Sequence, residues 1–234
     1  MSEKKPRTKI KRAYSVSDVL NYNPTTLPFE GPWKDLIGKP ELSGCWIIYG
    51  ESGCGKTSFT MQLTKYLTQF EKVMYNSIEE GMSLTIKRAY KQVGMKDCKG
   101  RFFLLDKETV KEVEVRLRKK GSPNVIVFDS LQYMGMNKDQ IKSLVDRYPE
   151  KLFLFVSHAS GGEPKGATAE AVKYHANVKI RVAGYRAFAL TRYSDGSASI
   201  PYTIWEKGAK EFYKETETES ETDEQNTSTE TVDQ

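Results

Sequence analysis

The chain has 234 residues, three cysteines and a formal net charge of +5, enough length for one domain with a sizeable core. Cys45, Cys54 and Cys98 lie far apart, odd in number and without metal spacing, which argues against a secreted disulfide framework and for reduced thiols. No apolar stretch approaches the length of a membrane span and no leader peptide opens the sequence, so a soluble cytoplasmic protein with no membrane partner is expected. The charge is split: residues 215–234 hold eight acidic side chains and no Lys or Arg, leaving 36 basic against 23 acidic residues elsewhere. A basic body with an acidic tail suits a polyanion partner, although a solvated charged surface has the same composition.

Residues 1–14 read as a basic, disordered arm carrying Lys4, Lys5, Arg7, Lys9, Lys11 and Arg12. Residues 15–213 read as one domain, with its core in 40–206, and 214–234 as a disordered acidic tail. The lead-in from Ser15 to Pro40 contains Pro24, Pro28, Phe29, Pro32, Trp33 and Pro40. Its prolines disfavour long helices, and its aromatics suggest a strap packed on the domain. Cys45-Trp46-Ile47-Ile48-Tyr49 is a buried strand by its apolar run. It leads into Gly50-Glu51-Ser52-Gly53-Cys54-Gly55-Lys56-Thr57, and a helical pattern follows from Ser58 to Phe70. Strand, G-x-x-x-x-G-K-[ST] and helix together are the context of a P-loop. Residues Gly50 to Ser58 would cradle a nucleoside triphosphate, with Lys56 on its β- and γ-phosphates and the Thr57 hydroxyl on Mg²⁺. The aromatic strap would then sit near the base.

Further on, strands are expected at Lys72–Ser77, Arg101–Leu105, Val125–Asp129 and Lys151–Val156. Helices are expected at Met82–Val93, Glu108–Lys120 and Lys138–Arg147. Ala159–Thr168 reads as a flexible Gly-rich loop before a short Ala-rich helix. Val178–Val182, Ala187–Tyr193 and Ile200–Trp205 read as a small antiparallel extension. The alternation of strands and helices predicts an α/β fold with a mostly parallel central sheet, covered on both faces. In such sheets ligands lie at the carboxyl ends of the strands. The P-loop, Glu79-Glu80, Asp129-Ser130 and Ser157-His158 all fall on that edge.

Asp129, after four apolar residues, fits the Mg²⁺-associated acid of a Walker B strand. Hydrolysis also needs a carboxylate beside the attacking water. Ser130 follows Asp129 where such an acid often stands, so Glu79 is the favoured catalytic carboxylate, with Glu80 as its partner or substitute. An acid pair answering only to the helix dipole is the structural alternative. His158 is placed to sense the γ-phosphate or hydrogen-bond the water, or to be an ordinary satisfied histidine. Lys165, Lys173, Lys179 and Arg181 form a basic region suited to phosphate-backbone contact or to plain solvation.

These features resemble the RecA-like P-loop ATPases, in particular the branch containing RadA and the DnaB helicases. Tyr75-Asn76-Ser77-Ile78-Glu79-Glu80 is similar to the family's second-strand segment ending in its catalytic glutamate. Ser157-His158 falls where that branch carries a polar switch residue before a DNA-contacting loop. Ala176-Asn177-Val178 resembles the segment opening the next strand, and Thr191-Arg192-Tyr193-Ser194-Asp195-Gly196 resembles the Lys-x-Arg-aromatic-Gly motif. The resemblance implies ATP and Mg²⁺ as cofactors, Arg192 as a finger on a neighbour's γ-phosphate and a homo-oligomer. It also implies action on DNA, single-stranded favoured, with replication or recombination proteins as further partners. A stand-alone core of this kind is similar to small ATPases of phages and mobile elements, which work in the host cytoplasm. Two other readings share the P-loop: an ATP-dependent oligomeric switch with low turnover, and a nucleoside or small-molecule kinase.

Overall fold

The computed structural model describes residues 12–194, 196 and 198–214. Residues 1–11 of the expected arm, Asp195 of the expected turn and residues 215–234 of the expected tail lie outside the described residues.

Six parallel strands make the sheet: β1 (Gly44–Gly50), β2 (Val73–Ser77), β3 (Phe102–Asp106), β4 (Val125–Asp129), β5 (Leu152–Ser160) and, after a short β6 (Glu163–Pro164), β7 (Val178–Ala183). Two antiparallel strands, β8 (Arg186–Thr191) and β9 (Tyr202–Thr203), extend it beyond β7, so the order is β3-β2-β4-β5-β1-β7-β8-β9. The α/β architecture is therefore as expected. The continuous apolar runs exist because the central strands are buried on both faces. One face brings Trp46, Ile48, Val127, Leu154 and Ile180 into a single cluster with α3 (Lys56–Leu67) and α4 (Leu84–Val93). The other packs Ile47, Phe128, Phe153 and Phe155 against α5 (Val110–Leu117), α6 (Lys138–Arg147) and α7 (Ala167–His175).

Helix starts follow their caps rather than the apolar pattern. α4 begins at Leu84, not Met82, because the Ser83 hydroxyl accepts from the Ile86 N–H. α5 begins at Val110, where Thr109 and Glu112 form a capping box. The lead-in holds two short helices, α1 (Val16–Leu20) and α2 (Gly31–Ile37), the second with proline in its first turn. Its aromatics do form a strap, which runs along α3: Phe29 packs on Tyr66 and Phe70, and Trp33 stacks between Tyr66 and Tyr202 and lies 5.9 Å from Phe59 in the first turn of α3.

Two segments differ from expectation. The Gly-rich stretch after His158 is not a loose loop: β5 runs on to Ser160, turns at Gly161-Gly162 and pairs back as β6. Both glycines have positive φ, 59° and 80°, which a two-residue hairpin turn of this kind requires. Residues 206–214 are helical (α8), an element not expected from the sequence.

Candidate functional site

Strand register sets the rim. Gly50 at the end of β1 pairs with His158 on β5, and Asp129 at the end of β4 pairs with Ser77 on β2. Because β5 lies between β1 and β4, the P-loop strand and the Asp129 strand stand about 10 Å apart, with His158 rising between them. That gap is a cleft of about 370 Å³, walled by Lys56, Thr57 and Ser58 on one side and by Glu79, Glu80, Asp129, Ser130 and His158 on the other.

The loop wall is built for an anion. α4, α5 and α6 carry side-chain caps, but α3 has none: its N-cap is Gly55 at φ 97°. Its first N–H groups and positive dipole end are therefore left for a ligand. Gly50 is required by close packing, since a Cβ there would lie 2.4 Å from the Val182 carbonyl oxygen. Ser52, Gly53 and Gly55 line the cleft with Lys56 and Thr57, and Glu51 and Cys54 line an adjoining one. The sequence-predicted loop residues are thus divided between two adjoining cavities that share Ser52 and Gly53.

The opposite wall separates the two neighbouring glutamates. The Asp129 carbonyl accepts from the Ile78 and Glu79 amides at 2.7 and 3.1 Å, which holds the end of β2 against the cis Asp129–Ser130 peptide. Glu79 Oε2 then accepts from the Ser130 hydroxyl at 2.9 Å and lies 3.0 Å from His158 Nε2, which donates when that nitrogen carries the proton. Glu80 instead accepts from the Ser83 hydroxyl at 3.2 Å, at the start of α4. Ser130, which lacks the acid expected directly after Asp129, serves to orient an acid from the neighbouring strand.

Asp129 accepts a hydrogen bond from the fully buried Tyr75 hydroxyl. Burial pushes its carboxyl above the usual range, while the Tyr75 hydroxyl and the Lys56 charge pull it back down. With the Thr57 hydroxyl across the cleft, it supplies the hard oxygen donors that suit Mg²⁺. These two residues fit that ion.

Gln132, which the sequence did not single out, joins the site to the following hairpin. Its amide nitrogen donates to Ser157 Oγ at 2.8 Å and to the Lys165 carbonyl at 3.0 Å, and its oxygen accepts from the His158 N–H at 3.3 Å. Nothing in its local sequence marks it, since its role depends on three groups at least 25 residues away. Tyr185 also lines the cleft from the β7–β8 turn, and nothing in its local sequence marks it.

The remaining expected residues are dispersed. Lys165 is exposed at the end of the β5–β6 hairpin, its amide donating to the His158 carbonyl at 2.8 Å. Lys173 is tied to Glu163 and sits 5.1 Å from the centre of the Tyr49 ring. Lys179 is half-buried on β7, and Arg181 is exposed with its guanidinium 5.6 Å from the Phe188 ring. Arg192 stands at the opposite edge of the sheet. Thr191 pairs with Val178, and the Arg192 N–H donates to the Asn177 carbonyl near the start of β1. It cannot reach the P-loop of its own chain, which lies about 15 Å further along the strands.

Comparison with known proteins agrees with this geometry at the level of fold. The model of the Phosphoribulokinase / Uridine kinase family matches residues 47–111, from the P-loop strand to the start of α5. No curated protein matches the sequence. Among solved structures, the flagellar accessory protein FlaH from Methanocaldococcus jannaschii is similar, with a TM-score of 0.56 and 17% identity over 76% of this chain and 93% of FlaH. Together they show a P-loop NTPase fold. No described helix is long and apolar enough to cross a membrane.

Proposed function

We propose that the chain is a RecA-like, Mg²⁺-dependent ATPase that acts on DNA as an oligomer, in recombination, repair or replication. The observation that carries the reading is Glu79, a carboxylate held by Ser130 and His158 on the wall facing Lys56 and Thr57. A charged oxygen fixed there suits a water molecule attacking the γ-phosphorus. The water oxygen forms the new P–O bond as the bond to the β-phosphate oxygen breaks, and the water proton passes to Glu79. Lys56 and the N–H groups opening α3 offset the charge on the phosphates. Mg²⁺, held by Thr57 and Asp129, would supply further charge neutralisation when bound. Arg192, too far from its own cleft, is then available to a neighbouring copy, which supports an oligomer with shared sites. Lys165 is exposed at the hairpin that His158 anchors, and Arg181 is exposed with its guanidinium 3.5 Å from where a Gly162 Cβ would stand; both suit phosphate-backbone contact with single-stranded DNA.

The test is ATP hydrolysis by the full chain with and without single-stranded DNA at two salt concentrations. Stimulation by DNA that fades with salt is expected. Turnover indifferent to DNA at low salt overturns the DNA-directed role, and ATP-driven assembly without turnover replaces it with an oligomeric switch. A second reading, phosphoryl transfer to a nucleoside or other small hydroxyl acceptor, is favoured by the family match over 47–111. It predicts labelled γ-phosphate on an acceptor in a substrate panel, where hydrolysis gives free phosphate.

A further inference from the structure

Tyr185 has a backbone conformation that its residue type does not favour. It is the second central residue of the β7–β8 turn, with φ 58° after Gly184 at φ 51°. A turn with two positive φ values suits Gly or Asn at both positions, and a bulky aromatic there is strained. Such strain persists where the surrounding structure imposes it, and it concentrates at functional sites.

The surroundings do impose it. The Tyr185 N–H donates to the Cys54 carbonyl in the P-loop at 3.1 Å, and its own carbonyl accepts from the Ile204 N–H at 2.9 Å. Its ring meets Trp205 edge to face, with centroids 5.0 Å apart and planes at 89°. Behind them α8 is seated so closely that a Cβ on Gly208 would lie 2.2 Å from Trp205 and 2.8 Å from Tyr185. The ring is nevertheless only half-buried, because it lines both the phosphate cleft and the adjoining cleft beside Gly50–Cys54. One ring carbon lies 3.1 Å from where a Gly55 Cβ would stand.

Sheet order gives this ring a direction. Glu79 and Asp129 lie on the β5–β4–β2 side of the P-loop strand, and Tyr185 on the β7–β8 side. A nucleoside triphosphate with its γ-phosphate toward Glu79 extends its other end toward Tyr185. We propose that Tyr185 is the stacking platform for the nucleobase, held rigid by Trp205. The inference rests on the reading of the cleft as a triphosphate site.

The experiment measures equilibrium binding of ATP and of inorganic tripolyphosphate, both with Mg²⁺, to the full chain and to Tyr185→Gly and Tyr185→Phe. Glycine accepts the positive φ, so the first variant removes the ring without adding strain. Expected is a loss of ATP affinity of about 5- to 140-fold in Tyr185→Gly, the range for removing a base-stacking aromatic, with tripolyphosphate binding unchanged. Tyr185→Phe keeps ATP affinity near that of the parent. Equal loss for both ligands overturns the proposal and leaves Tyr185 as a prop for the P-loop, and unchanged ATP binding in Tyr185→Gly overturns it outright. If the parent chain binds neither ligand, the triphosphate reading itself has failed and the platform falls with it.

Discussion

Replacing Glu79 by glutamine keeps the side chain's length and an acceptor oxygen but removes its charge and its basicity. The carboxylate is about one-third exposed, so losing the charged character of its contacts with Ser130 and His158 should cost about 1 kcal/mol of stability or less. The fold and the phosphate cradle should therefore persist. Lys56 and Thr57 make no contact with Glu79 in the hydrogen-bond network described, and the change removes one of three carboxylates facing a triphosphate. ATP affinity should hold or rise. Turnover should fall by about 10²- to 10⁴-fold, the range for removing a positioned general base, equivalent to about 3–5 kcal/mol of barrier. Steady-state phosphate release and equilibrium ATP binding, measured on the same preparation, separate the two effects. A Glu79→Gln variant that turns over within about threefold of the parent, less than 1 kcal/mol, would refute the assignment. If Glu80→Gln alone showed the loss, the water-orienting role would pass to Glu80 despite its place at the α4 cap.

Three further outcomes follow from packing and burial. Gly184→Ala forces a side chain onto φ 51° and places its Cβ 2.3 Å from the Phe212 ring. It should destabilise the fold by about 1–3 kcal/mol, and an unchanged melting temperature would show that the turn relaxes freely. Phe128→Ala empties a site with no solvent exposure, whose ring stacks on Phe155 at 5.8 Å. A loss of about 3–5 kcal/mol is expected from urea denaturation, and a loss below about 1 kcal/mol would mean that the site collapses around the gap. The thiols should differ by place. Burial raises Cys45 to about 11 and also raises Cys54, whose rise is opposed by the Lys56 charge. Because the thiolate is the reactive form and burial raises the Cys54 thiol above its ordinary range, alkylation of Cys54 should be slower than that of a free thiol at mildly alkaline pH, climb as the solution becomes more alkaline, and be slowed by bound ATP. The buried Cys45 and Cys98 should react on unfolding. Rapid labelling of all three thiols in the native protein would contradict this.

The P-loop was legible because its signal is local: a strand, a glycine-rich turn and a helix follow within one stretch of chain. The rim acids were legible because parallel strands place their last residues along one edge. The choice between Glu79 and Glu80 was not, since it depends on Ser130 and Ser83, which meet the two carboxylates only after β2 and β4 have paired. The same limit hid the position of β5 between β1 and β4, a non-local pairing that opens the cleft. α8 was missed because Gly208 and the surrounding charges weaken a helical reading. In the fold that glycine is what lets α8 approach Trp205. The strap of Phe29 and Trp33 was recognised as packing material, but which part of α3 it covers depends on Tyr66, Phe70 and Tyr202.

The short ladder beyond His158 has a mechanical consequence. A slack tether absorbs a displacement at one end, because its many rotatable bonds take up the motion. Here the Lys165 N–H is bonded to the His158 carbonyl, Ala159 faces Pro164, and Gln132 grips both arms. With so little compliance between them, any shift of His158 would reach the exposed lysine as translation of a stiff prong.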